Sequence, residues 1–145
     1  MSKKLNIQLV IIDPQNSFMD IPGATLPVTG ANEDMKRAAK LIARIGKKLD
    51  DIHVTLDSHR IIDISHPAWW VDQNGNSPSP FTIISYNNIK SNMWTTKNPK
   101  ARLRSLKYAR DLEATPNHYS ICIWPVHCLI GTWGHNVQED VNKAL

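Results

Sequence analysis

Cysteine is scarce in this sequence. Two residues in 145, Cys122 and Cys128, cannot build a disulfide framework. They fit a reducing compartment, with each thiol either structural or reactive. Long apolar runs are missing as well, since none approaches the roughly 20 residues that span a bilayer. The opening Met1-Ser2-Lys3-Lys4 leads into a short apolar run ending at Asp13, without the length or the small-residue cleavage site of a secretory signal. These absences lead us to expect a cytoplasmic protein with no membrane partner. Strong charge imbalance is also absent, because 17 basic residues face 13 acidic ones for a net charge of +4. The basic residues concentrate in two stretches, Lys36 to Lys48 and Lys97 to Arg110, which read as solvated helix faces. No helix-turn-helix, zinc-finger or RNA-binding signature accompanies them, so no nucleic-acid partner is expected. A chain with 41% hydrophobic and 21% charged residues has the composition of a globular protein and the length of a single domain.

Three segments read as buried strands: Ile7 to Ile12, Ile52 to Leu56 and Tyr119 to Trp124. Continuous β-branched runs of this kind fit parallel strands covered on both faces. Helical periodicity follows each. Met35, Ala38, Ile42, Ile45 and Leu49 form one stripe, with Asn32 placed to cap its start. Asn98-Pro99 opens a second helix whose apolar face is expected to carry Leu103, Leu106, Ala109 and Leu112. A third starts near Gly134 with Val137 and Val141 and runs to the last residue. The alternation predicts an α/β fold. Residues 58–98 show no clear periodicity and are expected to form a long loop or lid, with Phe81 to Ser85 as a short strand inside it.

Ligands of open α/β sheets bind beyond the carboxyl ends of the strands. Those ends carry Asp13-Pro14-Gln15-Asn16, Asp57-Ser58-His59 and Trp124-Pro125-Val126-His127-Cys128. An acid, an acid with a histidine, and a histidine with a cysteine thus meet at one edge. Each also has a plainer use. Asp13 before proline can close a turn through its side chain. Asp57 and His59 can share a surface hydrogen bond, or ligate a metal together with His66 or His127. A carboxylate with imidazoles suits zinc, iron or manganese. Cys128 can be a nucleophile beside a base or a small buried hydrophobe. Trp69 and Trp70 read as covers of the core, and Trp124 as the tryptophan next to a ligand.

The segment Leu9 to Phe18, with Pro22-Gly23-Ala24 and Leu26 to Gly30, resembles the opening of the nicotinamidase/isochorismatase-like cysteine hydrolases. Asp57-Ser58-His59 resembles the Asp-x-His metal pair of the nicotinamidase branch, and Trp124 to Thr132 resembles its Trp-Pro-x-His-Cys motif. The resemblance implies a three-layer α/β/α, Rossmann-like parallel sheet and hydrolysis of a small amide, nicotinamide-like, to acid and ammonia through a cysteine thioester. It implies Asp13 as the triad aspartate and Asp57, His59 and His127 as ligands of a divalent metal, with His66 as a candidate fourth. Phe18 and Trp124 match the aromatics that flank the substrate ring.

The family's lysine and nucleophilic cysteine lie after the Trp-Pro-x-His-Cys motif. Here Lys143 is the one lysine after it, in a context that does not match, and Cys128 is the motif's own cysteine. The resemblance therefore covers one incomplete cysteine-hydrolase domain, cut after about the third main strand. Such a chain is expected to be inactive alone and prone to self-association. A non-catalytic metal-binding module is the alternative.

Overall fold

A computed structural model describes residues 5–145. In chain order it contains β1 (Gln8–Ile11), α1 (Ala31–Ile45), β2 (Asp51–Val54), β3 (Trp70–Val71), β4 (Ile83–Ile84), α2 (Tyr86–Lys90), β5 (Thr95–Thr96), α3 (Arg102–Glu113), β6 (Ile121–Cys122) and α4 (Glu139–Ala144). Short 3-10 turns occur at Asn16–Phe18, Pro67–Trp69, Pro99–Ala101 and Trp133–His135, among others. The chain divides into two compact units, one running up to His59 and resuming at His127–Leu145, the other spanning Arg60–Val126. No helix among the described residues is long and apolar enough to cross a membrane.

In the first unit β1 and β2 pair in parallel, from Gln8 opposite Asp51 to Ile11 opposite Val54. The strands alternate. Leu9 and Ile11 join Ile52, Val54, Ile42 of α1 and Val141 of α4 in one core. Val10 and Ile12 are 54% and 73% exposed. The expectation of strands covered on both faces thus holds for one face of this unit. Of the stripe read on α1, Ile42 is buried with Met35 and Ala38 packed around it, whereas Leu49 lies beyond the helix, after the 3-10 turn Gly46–Lys48.

The start of α1 differs from expectation. Gly30, at φ +83°, is the capping position, and Asn32 lies inside the helix. The free N–H groups are met from a distance: the Asp20 carboxylate accepts from Gly30 N at 2.8 Å and from Asn32 N at 2.9 Å. The last helix starts later than its apolar pattern suggests. Asn16 N donates to the Asn136 carbonyl at 3.0 Å, Gln138 N donates to that of Pro14 at 2.7 Å, and Val137 bridges Gln15. These bonds hold residues 136–138 extended. The Gln138 side chain then caps α4 by accepting from Asp140 N and Val141 N.

In the second unit β3 pairs antiparallel with β5, and β4 pairs antiparallel with β6. Its core is Trp70, Ile84, Ile89, Ala109, Ile121 and Ile123. The third expected parallel strand is therefore corrected: of Tyr119 to Trp124 only Ile121–Cys122 is strand, and its partner is Ile83–Ile84. The reason lies in segment 58–98, which is more than a loop. Thr82 offers its carbonyl to Ile123 N at 2.9 Å, and Ser65 offers its own to Trp124 N at 2.8 Å. The Asn98-Pro99 start is found, with the Asn98 side chain accepting from Lys100 N at 3.1 Å. The expected face of α3 is found at Leu106, Ala109 and Leu112, which lie in or against the core, and is corrected at Leu103, which is 75% exposed while Ser105 is buried.

Candidate metal centre

The parallel register carries Asp13 and Asp57 to the same end of β1 and β2, so both acids follow the strands' carboxyl ends. Asp13 sits at φ +50°, in a region that non-glycine residues rarely occupy. Thr55, one residue past β2, holds it there. Asp13 N donates to Thr55 Oγ1 at 3.1 Å, and that hydroxyl donates to Asp13 Oδ1 at 2.6 Å.

Gln15 fixes Asp57. Its side chain is fully buried and pairs with the Asp57 backbone on both sides: Oε1 accepts from Asp57 N at 2.8 Å, and Nε2 donates to Asp57 O at 2.8 Å. The same Nε2 donates to the His135 carbonyl at 2.9 Å. One buried amide thus ties the end of β1, the end of β2 and the 133–135 turn together.

The chain beyond β2 meets the His127 segment through a second set of bonds. His59 N donates to the Cys128 carbonyl at 3.0 Å, and Ile130 N donates to that of His59 at 3.1 Å, forming a parallel bridge between His59 and Leu129. This zipper sets the two imidazoles side by side, with ring centres 4.7 Å apart. Both rings face one carboxylate. Asp57 Oδ1 lies 2.8 Å from His59 Nε2, and Oδ2 lies 3.0 Å from His127 Nε2.

Three donors thus converge, one carboxylate and two imidazoles. Donors bound at about 2.1 Å to one tetrahedral ion stand about 3.4 Å apart. The two carboxylate–imidazole spacings, 2.8 and 3.0 Å, are shorter than this, the distances of direct hydrogen bonds. A borderline ion such as zinc, iron or manganese suits the set. His127 is almost fully buried and Asp57 partly so. Phe18 meets the His127 ring edge-on, with centroids 5.7 Å apart.

Cys128 follows at φ +45°, 1% exposed. Burial pushes its thiol up to about 11, Asp57 and Asp13 push the same way, and a hydrogen bond with Ser17 opposes them. A thiol so placed is protonated at neutral pH, which fits the small buried hydrophobe and not an activated nucleophile. The Ser17 hydroxyl also accepts from Cys128 N at 3.0 Å. Gly134 makes room for it, since a Cβ there would collide with Ser17 Oγ.

The first unit therefore unites Asp13, Phe18, Asp57, His59 and His127. His66 and Trp124 belong to the second unit. His66 is buried there, with Nδ1 3.1 Å from the Arg60 carbonyl, and Trp124 packs edge-on against Phe81 at 5.8 Å. Sequence reasoning missed the fixing role of Gln15, although Gln15 stood in the polar run after β1. It also missed His135, whose Nε2 lies 2.8 Å from Ser58 Oγ. No spacing rule links positions 58 and 135. An open cleft of about 690 Å³ borders His135, Trp133 and Asn16, but not the three converging donors.

No protein-family model matches the chain, and no curated protein matches it. Solved structures do. Two structures of the yeast nicotinamidase Pnc1p, one bound to the inhibitor nicotinaldehyde, superpose with TM-scores of 0.60 and 0.61 at 21% identity, over 94% of this chain. A nicotinamidase/pyrazinamidase of Acinetobacter baumannii superposes with a TM-score of 0.56 at 22% identity, over 97% of this chain. This chain therefore has the mixed helix-and-sheet fold seen in those enzymes. It spans about half their length, covering 50% of the yeast chains and 48% of the Acinetobacter chain.

Proposed function

We propose that this chain is the metal-binding and base-bearing part of a nicotinamidase-like cysteine amidase, whose complete reaction converts a small amide and water to an acid and ammonia. The observation that carries the reading is the Asp57 carboxylate set between His59 and His127. The fold likeness and the three sequence motifs agree with it. In this reading Asp57, His59 and His127 hold a divalent ion. When bound, that ion supplies a positive anchor for the ring nitrogen of a nicotinamide-type substrate. Phe18, against His127, offers an aromatic edge to the same ring. Asp13, steadied by Thr55, is the proton acceptor for an attacking thiol and later for water. The α/β/α layering of the reading calls for a further helical layer over Val10 and Ile12.

Asp13 is the one member of the family's triad that this chain supplies. Cys128 is buried, no cysteine follows it, and Lys143 stands in α4 paired with Glu139. In this reading these 145 residues bind and position the substrate, and the family's nucleophile and lysine are not among them. These same facts favour a second reading, a metal-binding module with no amide substrate.

Nicotinamide binding separates the two. The metal-loaded chain is titrated with nicotinamide by calorimetry while ammonia is assayed. Saturable binding that needs the metal and is weakened by Phe18→Ala, without ammonia, supports the amidase part. Metal binding without nicotinamide binding supports the module. Steady ammonia release that survives Cys128→Ser would show a nucleophile this account does not contain.

A further inference from the structure

The second unit holds a cavity of about 300 Å³ that the metal chemistry does not use. Ile62, Ala68, Trp69, Lys97 and Arg104 are among its walls. Trp69 is a fixed wall. Its Nε1 donates to Ser105 Oγ at 3.0 Å, and that hydroxyl donates to the Ala101 carbonyl at 3.0 Å. On the backbone side, Lys97 N donates to the Trp69 carbonyl at 2.9 Å. The Arg104 guanidinium stands 5.3 Å from the centre of the indole ring.

Among the described residues no carboxylate oxygen lies within 4.0 Å of the Lys97 or Arg104 charged group. Packing on the indole accounts for Arg104. It accounts neither for Lys97 at the same cavity nor for Ile62, a large apolar side chain left 70% exposed at its border. A ligand that covers Ile62 and Trp69 with a flat apolar body and meets the two cations with one anionic group would use all of these features.

The geometry points to a binding site in this cavity for a small aromatic carboxylate of one or two rings. The volume, about 300 Å³, lies at the low end of ligand pockets and suits a body of one or two rings. The apolar wall disfavours inorganic phosphate, which would leave Trp69 and Ile62 uncovered. The planar guanidinium can grip a carboxylate through two N–H donors, and Lys97 adds a point charge. The inference stands apart from the amidase reading and uses none of its residues.

The test uses the full chain and three probes: 2-naphthoate, its neutral counterpart 2-naphthamide, and acetate, which carries the charge without the ring. Binding is followed by the NMR signal of the Trp69 indole N–H, assigned with Trp69→Phe. The site predicts a saturable shift with 2-naphthoate, affinity lower by about tenfold or more for 2-naphthamide, and no saturable shift with acetate. Lys97→Gln with Arg104→Gln should weaken 2-naphthoate by about tenfold or more, and both side chains are exposed enough for the variant to fold. A second reading of the charge needs no variant: 2-naphthoate affinity should fall as salt rises. No saturable shift, equal binding of the amide, or binding indifferent to both salt and the double variant would overturn the site.

Discussion

Oδ2 of Asp57 lies 3.0 Å from Nε2 of His127, although 70 positions of sequence separate the two residues. The other oxygen of the same carboxylate reaches His59 at 2.8 Å. One carboxylate thus joins two imidazoles, the arrangement proposed above as a ligand set, and what surrounds it decides how well it keeps its shape.

Gln15 is the main support. Gln15→Ala removes three hydrogen bonds and leaves the Asp57 amide and the His135 carbonyl without their partner. The expected loss is about 1–3 kcal/mol of stability, together with about 10-fold weaker metal binding. Denaturant melts and metal titration of the same variant measure both. Wild-type affinity in a destabilised Gln15→Ala chain would remove Gln15 from the support of the site.

Gly134 is required by space. An alanine there pushes on Ser17, whose hydroxyl holds the backbone next to His127. Gly134→Ala is expected to cost about 1–3 kcal/mol. Gly75, in the second unit, has open space around it, and its φ of +86° makes Gly75→Ala a strained control. Metal affinity should drop in the first variant and stay constant in the second.

Asp20 ties the stability of α1 to pH. The N–H of Asn32 first, then that of Gly30, hold its carboxyl below the usual range. A group with a lowered folded-state pKa stabilises the fold above its unfolded pKa, near 4, and loses that contribution as pH falls through the lower folded value. Asp20→Ala should therefore lower Tm at pH 6, and the gap to wild type should close on acidification below about pH 4. A gap that is constant with pH would mean that the N–H contacts carry no charge-dependent stabilisation.

The two helices give a contrast in burial. Leu103→Ala changes an exposed residue and should stay within about 0.5 kcal/mol, whereas Ile42→Ala empties the centre of the first unit's core and should cost about 2–5 kcal/mol. Urea melts decide it. A large loss at Leu103 would restore the face first read from the leucine spacing.

Much of the first unit was legible in the sequence. Both of its strands and the stripe of α1 follow from apolar periodicity, and the acids at the strand ends follow from the rule about α/β sheets. The residues alone left His66 and His127 equal as partners of Asp57 and His59, and only the family resemblance singled out His127. What local pattern does not show is what polar partners elsewhere in the fold decide. Asn32 has the chemistry of a cap, yet Asp20 does the capping from ten residues or more away. Tyr119 to Trp124 has the composition of a parallel strand, yet Thr82 and Ser65 take its hydrogen bonds. Leu103 has the spacing of a core residue, yet Ser105 occupies the buried face by bonding back to Ala101 and accepting from Trp69. In each case a polar partner that local patterning cannot see outweighed the local preference.

The proposed function stands on Asp57, His59 and His127 forming a metal centre. Its most direct test is the metal content and zinc affinity of the purified chain beside those of Asp57→Asn and His59→Ala. About one ion per chain is expected in the wild type, bound at least about 10–100-fold more weakly in either variant. Circular dichroism should remain that of the wild type in Asp57→Asn, which keeps the Gln15 bonds to the backbone. Equal metal binding by all three chains, or none by the wild type, would contradict it.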